Sequence, residues 1–249
     1  MTQLRGQHDQ LEGQAVELAH LALHDSVTGL GNRALLRQRA ESVRGSPVES
    51  TLLLLDLAGF KEVNDTLGHA AGDAVLLEVG ERLGRCSRVN DTVVRLGGDE
   101  FALLLPDTGR VAAARMASRV LGELREPFEV DGVAVQVSGS LGVASSVTAT
   151  DLDELLRNAD LAMYEAKGAG RDRVCEFDPA MYVHATRRMA LDTDVRAAVA
   201  HGDFIVYYQP IRDATSSEIR CVEALVRWNH PIRGVLPPSD SWRPPNGPE

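Results

Sequence analysis

Aromatic residues make up only 4% of this 249-residue chain, and there are three cysteines. Cys86, Cys175 and Cys221 are far apart and never in Cys-x-x-Cys spacing. That argues against a disulfide framework or a structural zinc, and it fits a reducing cytosol. No apolar run is long enough to cross a bilayer, and the N-terminus lacks the apolar core of a signal peptide. The expected location is therefore cytoplasmic, with no membrane segment in this chain. Positive charge is also scarce: 26 Lys and Arg against 36 Asp and Glu give a formal charge of −10. This argues against a nucleic-acid partner, and a polyanionic ligand would need a local basic cluster or a metal ion. What is present, 44% hydrophobic and 25% charged residues, is the composition of a globular protein. The length admits one large domain or two smaller ones.

Residues 1–24 carry Leu4, Leu11 and Leu18 seven apart, with Met1, His8, Ala15 and Ala22 offset from them. This is a short heptad pattern, weakened by Gly6 and Gly13. It reads either as a helix packed on its own domain or as a dimerising coiled-coil linker. A turn-rich "HDSVTGLGNR" (24–33) precedes a helix from about Arg33. "TLLLLDL" (51–57) is a continuous apolar run too short for a helix, hence a buried central strand. Helical spacing runs over 71–88, and "TVVRL" and "EFALLLP" flank Gly97-Gly98 as a hairpin. A helix near 109–125, a strand-like 133–145, a helix from Asp151 to Lys167 and a last strand at 173–177 follow. Alternating strands and helices imply an α/β (α+β) sheet covered by helices. A boundary is expected near 178–186. Beyond it come a helix over 185–201 and two strands, 203–211 and 219–228.

Two acids sit oddly in "RLGGDEFALLL" (95–105), between apolar runs and after two glycines. Residues without Cβ allow a nucleotide or a second strand to come close. "TLLLLDL" supplies another acid, Asp56. If the two strands are neighbours, Asp56 and Asp99 meet at one sheet edge, and with a backbone carbonyl such as that of Leu57 they make an oxygen site suited to Mg²⁺. Alone, the motif reads as a solvated hairpin turn with its charges facing water. Downstream lie Asn64, His69 and Asp73; an amide can bond guanine O6 or N3, and a carboxylate can accept from N1–H and N2–H₂. Lys167 and Arg171 are four apart at a helix end, spaced to face one way and grip phosphate.

Taken together, "HDSVTGLGNR", "DLAGFKEVNDTLGHAAGD", "RLGGDEF", "SGSLGVA" and "NADLAMYEAKGAGR" resemble a complete GGDEF domain, the diguanylate cyclase family, over residues 25–178. The resemblance implies a sheet like that of adenylate cyclases and polymerase palms. It also implies condensation of two GTP molecules to cyclic di-GMP with release of pyrophosphate. Carried over, Asp56, the Leu57 carbonyl and Asp99 hold Mg²⁺ (or Mn²⁺), and Asn64, His69 and Asp73 contact the guanosine. Backbone amides of Phe60 and Lys61, with Lys167 and Arg171, hold phosphates. Asp99 or Glu100 assists removal of the ribose 3′-OH proton, with the choice between them open. The two-fold symmetry of the product calls for a homodimer. "RVND" (88–91) matches the family's Arg-x-x-Asp product-inhibition site, with Arg88 and Asp91, and Arg119 falls where a second arginine is expected. One departure is Ala58, where the family usually carries an acid.

Residues 179–249 resemble the start of an EAL domain, the cyclic di-GMP phosphodiesterase family, with Glu223 as one vestigial metal ligand. A complete domain of roughly 240 residues, the size of an α/β barrel, would supply the remaining ligands, so phosphodiesterase activity is not expected. The tail 241–249, "SWRPPNGPE", reads as a frameshift: one deleted base converts codons for Phe-Leu-Ala-Ala-Ala-Glu-Arg-Ala-Gly into it. The leading expectation is an active cyclase. The alternative is an inactive domain that binds GTP or cyclic di-GMP as a regulator. A merely structural palm-like domain would make all these side chains incidental.

Overall fold

The computed structural model describes residues 21–43, 48–130 and 132–238. The expected heptad helix, apart from its helical end at 21–23, and the tail 241–249 lie outside the described residues. The chain divides into two units, one ending at Asp178 and one beginning at Pro179.

In the first unit the elements are α1 (Arg33–Val43), β1 (Thr51–Ala58), α2 (Phe60–Leu67), α3 (His69–Cys86), β2 (Thr92–Gly97), β3 (Glu100–Leu105), α4 (Arg110–Arg125), β4 (Phe128–Val130), β5 (Val133–Val135), β6 (Ser138–Ser145), α5 (Leu152–Gly168) and β7 (Arg173–Glu176). Five strands form one sheet in the order β2-β3-β1-β6-β7, with β1 antiparallel to both neighbours and β6 parallel to β7. The run of leucines in β1 is buried because both faces are covered. Leu53, Leu55 and Leu57 join Phe101, Leu103 and Leu141 in a core with α3 and α4. On the opposite face α5 crosses β6, β1 and β7. It does so at close range: a Cβ on Gly142 would stand 2.0 Å from the Ala159 carbonyl oxygen and 2.4 Å from the Met163 nitrogen.

Two expectations need correction. The strand-like 133–145 is two strands, β5 and β6; β5 pairs with β4 in a small hairpin across Gly132. The stretch after Asp56 holds an eight-residue helix, α2, which its short and mixed sequence did not announce. Gly59 (φ 87°) starts it and Gly68 (φ 86°) ends it.

The second unit has α6 (Ala180–His201), β8 (Phe204–Arg212), β9 (Ile219–His230) and β10 (Gly234–Leu236). Its sheet runs β10-β9-β8, all antiparallel. The helix begins earlier than expected, and β10 was not foreseen.

Candidate active site

Alternation along β1 places Asp56 on the face that α5 covers. Its register partners are Glu100 on β3 and Ser140 on β6. Asp99 stands in the tight turn next to it, and its carbonyl accepts the Leu57 N–H at 3.2 Å. Three carboxylates therefore gather at one end of the sheet. Burial raises the Asp56 carboxyl above its usual range, and the charge of Asp99 adds to this against the opposing pull of Lys167 and Arg171. Burial likewise raises Glu100, helped by the charges of Asp56, Asp160 and Asp99. Lys167 Nζ lies 2.6 Å from Asp56 Oδ2 and partly neutralises the group.

Such a set of hard oxygens under mutual repulsion suits a divalent cation, because the ion's charge would lower the cost of ionising all of them. Among the described residues no group of three or more His, Cys, Asp or Glu side chains is arranged to hold a metal. Two carboxylates and a carbonyl would leave the remaining positions to water or ligand oxygens.

The turn that carries these acids is held from outside. Gly97 (φ 143°) and Gly98 (φ 56°) take up backbone angles that other residues resist. Arg95 Nε and Nη2 donate to the Gly98 carbonyl at 3.0 and 2.8 Å. The same guanidinium donates through Nη1 to Asp25 at 3.1 and 3.2 Å. Asp25 also accepts from the Thr28 amide and hydroxyl. Burial pushes the Asp25 carboxyl upward, but the Thr28 hydrogen bonds and Arg95 outweigh it and hold the group below its usual range. "HDSVTGLGNR" is thus the strap of the two-glycine turn. Sequence reasoning missed Asp25, Arg95 and Asp160 as parts of this region. An Arg before a tight turn and an Asx-type Asp-x-x-Thr were visible, but nothing in the order of residues paired them.

The remaining expected residues fall into three places. Asn64 on α2 packs against Gly72, where a Cβ would meet Asn64 Oδ1 at 2.0 Å. His69 and Asp73 are exposed on the first turns of α3. Phe60 and Lys61 open α2, whose N-cap Gly59 makes no side-chain capping bond. Their amides therefore lack the capping partner that many helices supply. Lys167 is on the last turn of α5, but the helix ends at Gly168 and Arg171 follows it with φ 58°. The expected four-residue helical spacing therefore does not apply. Arg171 nonetheless acts electrostatically on Asp56.

Arg88, Asp91 and Arg119 come together away from these acids, in a cavity of about 350 Å³ also lined by Arg85, Arg115 and Met116. Arg88 and Asp91 form a tight turn, the Arg88 amide donating to Asp91 Oδ2 at 2.7 Å. Arg119 donates to the Cys86 carbonyl and to Met116 Sδ. In the second unit Glu223 lies on β9 opposite Gln209 and is exposed.

Residues 22–173 match the diguanylate cyclase GGDEF-domain family. The chain belongs to the GGDEF family. Residues 192–242 match the EAL domain. The bifunctional diguanylate cyclase/cyclic di-GMP phosphodiesterase MucR of Pseudomonas aeruginosa is 39% identical over 89% of this chain and 33% of its own length. The cyclic di-GMP phosphodiesterase PdeR of Escherichia coli is 38% identical over 88% of this chain and 34% of its own length. The chain spans about a third of these curated relatives. Among solved structures, the GGDEF domain of YfiN from Pseudomonas aeruginosa is 36% identical with a TM-score of 0.63, covering 66% of this chain and 99% of that one. The GGDEF domain of DgcB from Caulobacter crescentus, solved with cyclic di-GMP, is 27% identical with a TM-score of 0.57, covering 62% of this chain and 95% of that one. The expected mixed α/β fold and both resemblances are thereby borne out. Among the described residues no helix is long and apolar enough to cross a membrane.

Proposed function

We propose that the GGDEF unit condenses two GTP molecules into cyclic di-GMP, releasing pyrophosphate, with a divalent ion, Mg²⁺ or Mn²⁺, and with two copies of the chain facing each other. The observation that carries this reading is the meeting of Asp56, Asp99 and Glu100 at one sheet end with Lys167 and Arg171 beside them. Asp56, Asp99 and the Leu57 carbonyl would hold the ion, whose chemistry is to lower the pKa of the attacking 3′-OH and neutralise the leaving pyrophosphate. The amides of Phe60 and Lys61 and the cations of Lys167 and Arg171 bind the triphosphate, with Lys167 turning from Asp56 toward it. Asn64, His69 and Asp73 orient the guanosine. Glu100 or Asp99 takes the 3′-OH proton, and the freed oxygen attacks the α-phosphorus in line, with pyrophosphate leaving. One site holds one nucleotide, so a second copy must present the other. Product inhibition is assigned to the arginine-lined cavity with Arg88, Asp91 and Arg119.

A second reading is a non-catalytic nucleotide sensor. Ala58, in place of an acid, and a 38%-identical relative named as a phosphodiesterase favour it. Purified full-length chain incubated with GTP and Mg²⁺, with product resolved by chromatography, separates the two. Cyclic di-GMP formation that disappears in Asp99→Asn supports the enzyme. Tight GTP binding by a demonstrated dimer without turnover supports the sensor.

A further inference from the structure

The segment joining α5 to β7 has three consecutive positive backbone angles: Gly170 (φ 112°), Arg171 (φ 58°) and Asp172 (φ 46°). Glycine adopts such angles freely and Asp tolerates them, but an arginine there is disfavoured by contact of Cβ with the backbone carbonyl. Within the loop, the Arg171 amide donates to the Ala166 carbonyl at 3.2 Å and Arg173 Nε to the Arg171 carbonyl at 3.4 Å. A loop of this shape persists when something outside it holds it.

Arg125 is that outside contact. It is the last residue of α4 and 47 positions from its partner. Its Nε donates to Asp172 Oδ2 at 2.9 Å and Oδ1 at 3.2 Å, and its Nη2 to the Asp172 carbonyl at 3.3 Å. The bonds fix both the Asp172 side chain and the peptide that follows it, one residue beyond Arg171. The same residue's carbonyl accepts from Gln136 Nε2 at 3.5 Å. The Gln136 carbonyl in turn lies 3.6 Å from where a Cβ on Gly59 would stand, at the start of α2. Arg125 thus holds the 169–172 loop directly and reaches the neighbourhood of Gly59 only through Gln136. The side chains of Arg125 and Asp172 are 57% and 39% exposed, and an ion pair that open adds little to global stability. Its consequence is local geometry.

We infer that Arg125 and Asp172 are a positioning pair that locks the 169–172 loop and aims Arg171 at the phosphates of the bound nucleotide. The inference rests on the reading of Arg171 as a phosphate ligand, and the experiment separates the two. Full-length variants are compared for kcat and KM with GTP, and for binding of a non-cyclisable GTP analogue bridged by methylene at the α,β position, with Mg²⁺. Arg171→Ala sets the scale, with about tenfold weaker binding or more for a lost charged hydrogen bond. Arg125→Ala and Asp172→Gly, the latter still allowing the positive angle, are each expected to weaken analogue binding and raise KM about three- to tenfold. In both, kcat stays within about twofold, because the reacting groups are untouched. Arg125→Lys, which keeps the charge but loses the fork, falls between wild type and Arg125→Ala. The double variant binds no worse than the weaker single one, as expected of two partners in one contact.

Wild-type binding by Arg125→Ala and Asp172→Gly beside a weakened Arg171→Ala overturns the pair and leaves the phosphate reading intact. Wild-type binding by Arg171→Ala removes the phosphate reading and the inference with it. A melting temperature lowered by many degrees in both Arg125→Ala and Asp172→Gly makes the contact a structural one and overturns the positioning role.

Discussion

Strand β1, Thr51–Ala58, is buried along nearly its whole length, whereas β8, Phe204–Arg212, is open to solvent along most of its own. Both are rich in large apolar residues. In the GGDEF unit every apolar position of β1 meets α3 and α4 on one side or α5 on the other. In the EAL-like unit Val206 and Tyr208 point to one face and Tyr207 and Ile211 to the other, and all four are about half exposed or more. Apolar residues on both faces are the pattern of a strand covered on both sides. The contrast teaches that apolar letters ask for a cover, and the neighbouring elements decide whether they receive one. The chemistry follows the same line, since Asp56 and Glu100 owe their raised carboxyls to burial first.

The comparison breaks most visibly on activity. Asp56→Asn or Asp99→Asn is expected to lower cyclic di-GMP formation by about 10³-fold, since an ion's several kcal/mol of charge stabilisation are lost. Glu223→Gln, on the open sheet, should leave the rate unchanged; a matching loss there would mean that the chemistry is not confined to the first unit. Next in size is packing. Gly142→Ala pushes a methyl into the backbone of α5, and should cost about 3 kcal/mol in urea titration of the first unit. Arg82→Met should cost a similar amount, about 3 kcal/mol, because buried Arg82 donates to the carbonyls of Glu123 in the last turn of α4 and of Glu126 and Pro127 just beyond it, and lies over the Phe128 ring.

A smaller effect, of opposite sign, is expected from Glu100→Gln. Glu100 is harder to ionise in the fold than in the unfolded chain. The metal-free protein therefore loses stability as pH rises from the unfolded value through the raised folded one, and has none of this penalty below both. The variant should abolish or cripple turnover yet raise the metal-free melting temperature at neutral pH. The gain should vanish below about pH 4, where the unfolded carboxyl is also protonated. Smallest of all, Tyr208→Ser on the open sheet should change stability by less than about 0.5 kcal/mol. A larger loss would indicate that this face is covered in solution.

Much of the first unit was legible because its signals are local. The leucine run of β1, the two-glycine hairpin and the Asp151 cap, whose Oδ1 accepts the Glu154 amide at 2.7 Å, are each written in a few adjacent residues. Of the candidate site, the order of motifs pointed to the acids, to Asn64, His69 and Asp73, and to the Arg-x-x-Asp turn. What escaped was of two kinds. Helix α2 is only eight residues long and begins and ends on glycines, so its propensity was too weak to read. The couplings Asp25–Arg95 and Arg125–Asp172 join residues 70 and 47 positions apart, and only the folded sheet brings them together. For Arg171 the expected helical spacing from Lys167 was mistaken: the helix stops at Gly168, and Arg171 follows in a left-handed turn from which its charge acts on Asp56.

Strand β3 can be read as a ruler. Glu100 begins it among the acids and Leu105 ends it in the wall of the arginine cavity. Five residue steps of an antiparallel strand measure about 17 Å. A molecule lodged between Arg88 and Arg119 therefore leaves the acid end free, and should depress the maximal velocity without competing for occupancy with the nucleotide. Rate curves taken with such an occupant should share one KM, the two places being separated by the length of the strand.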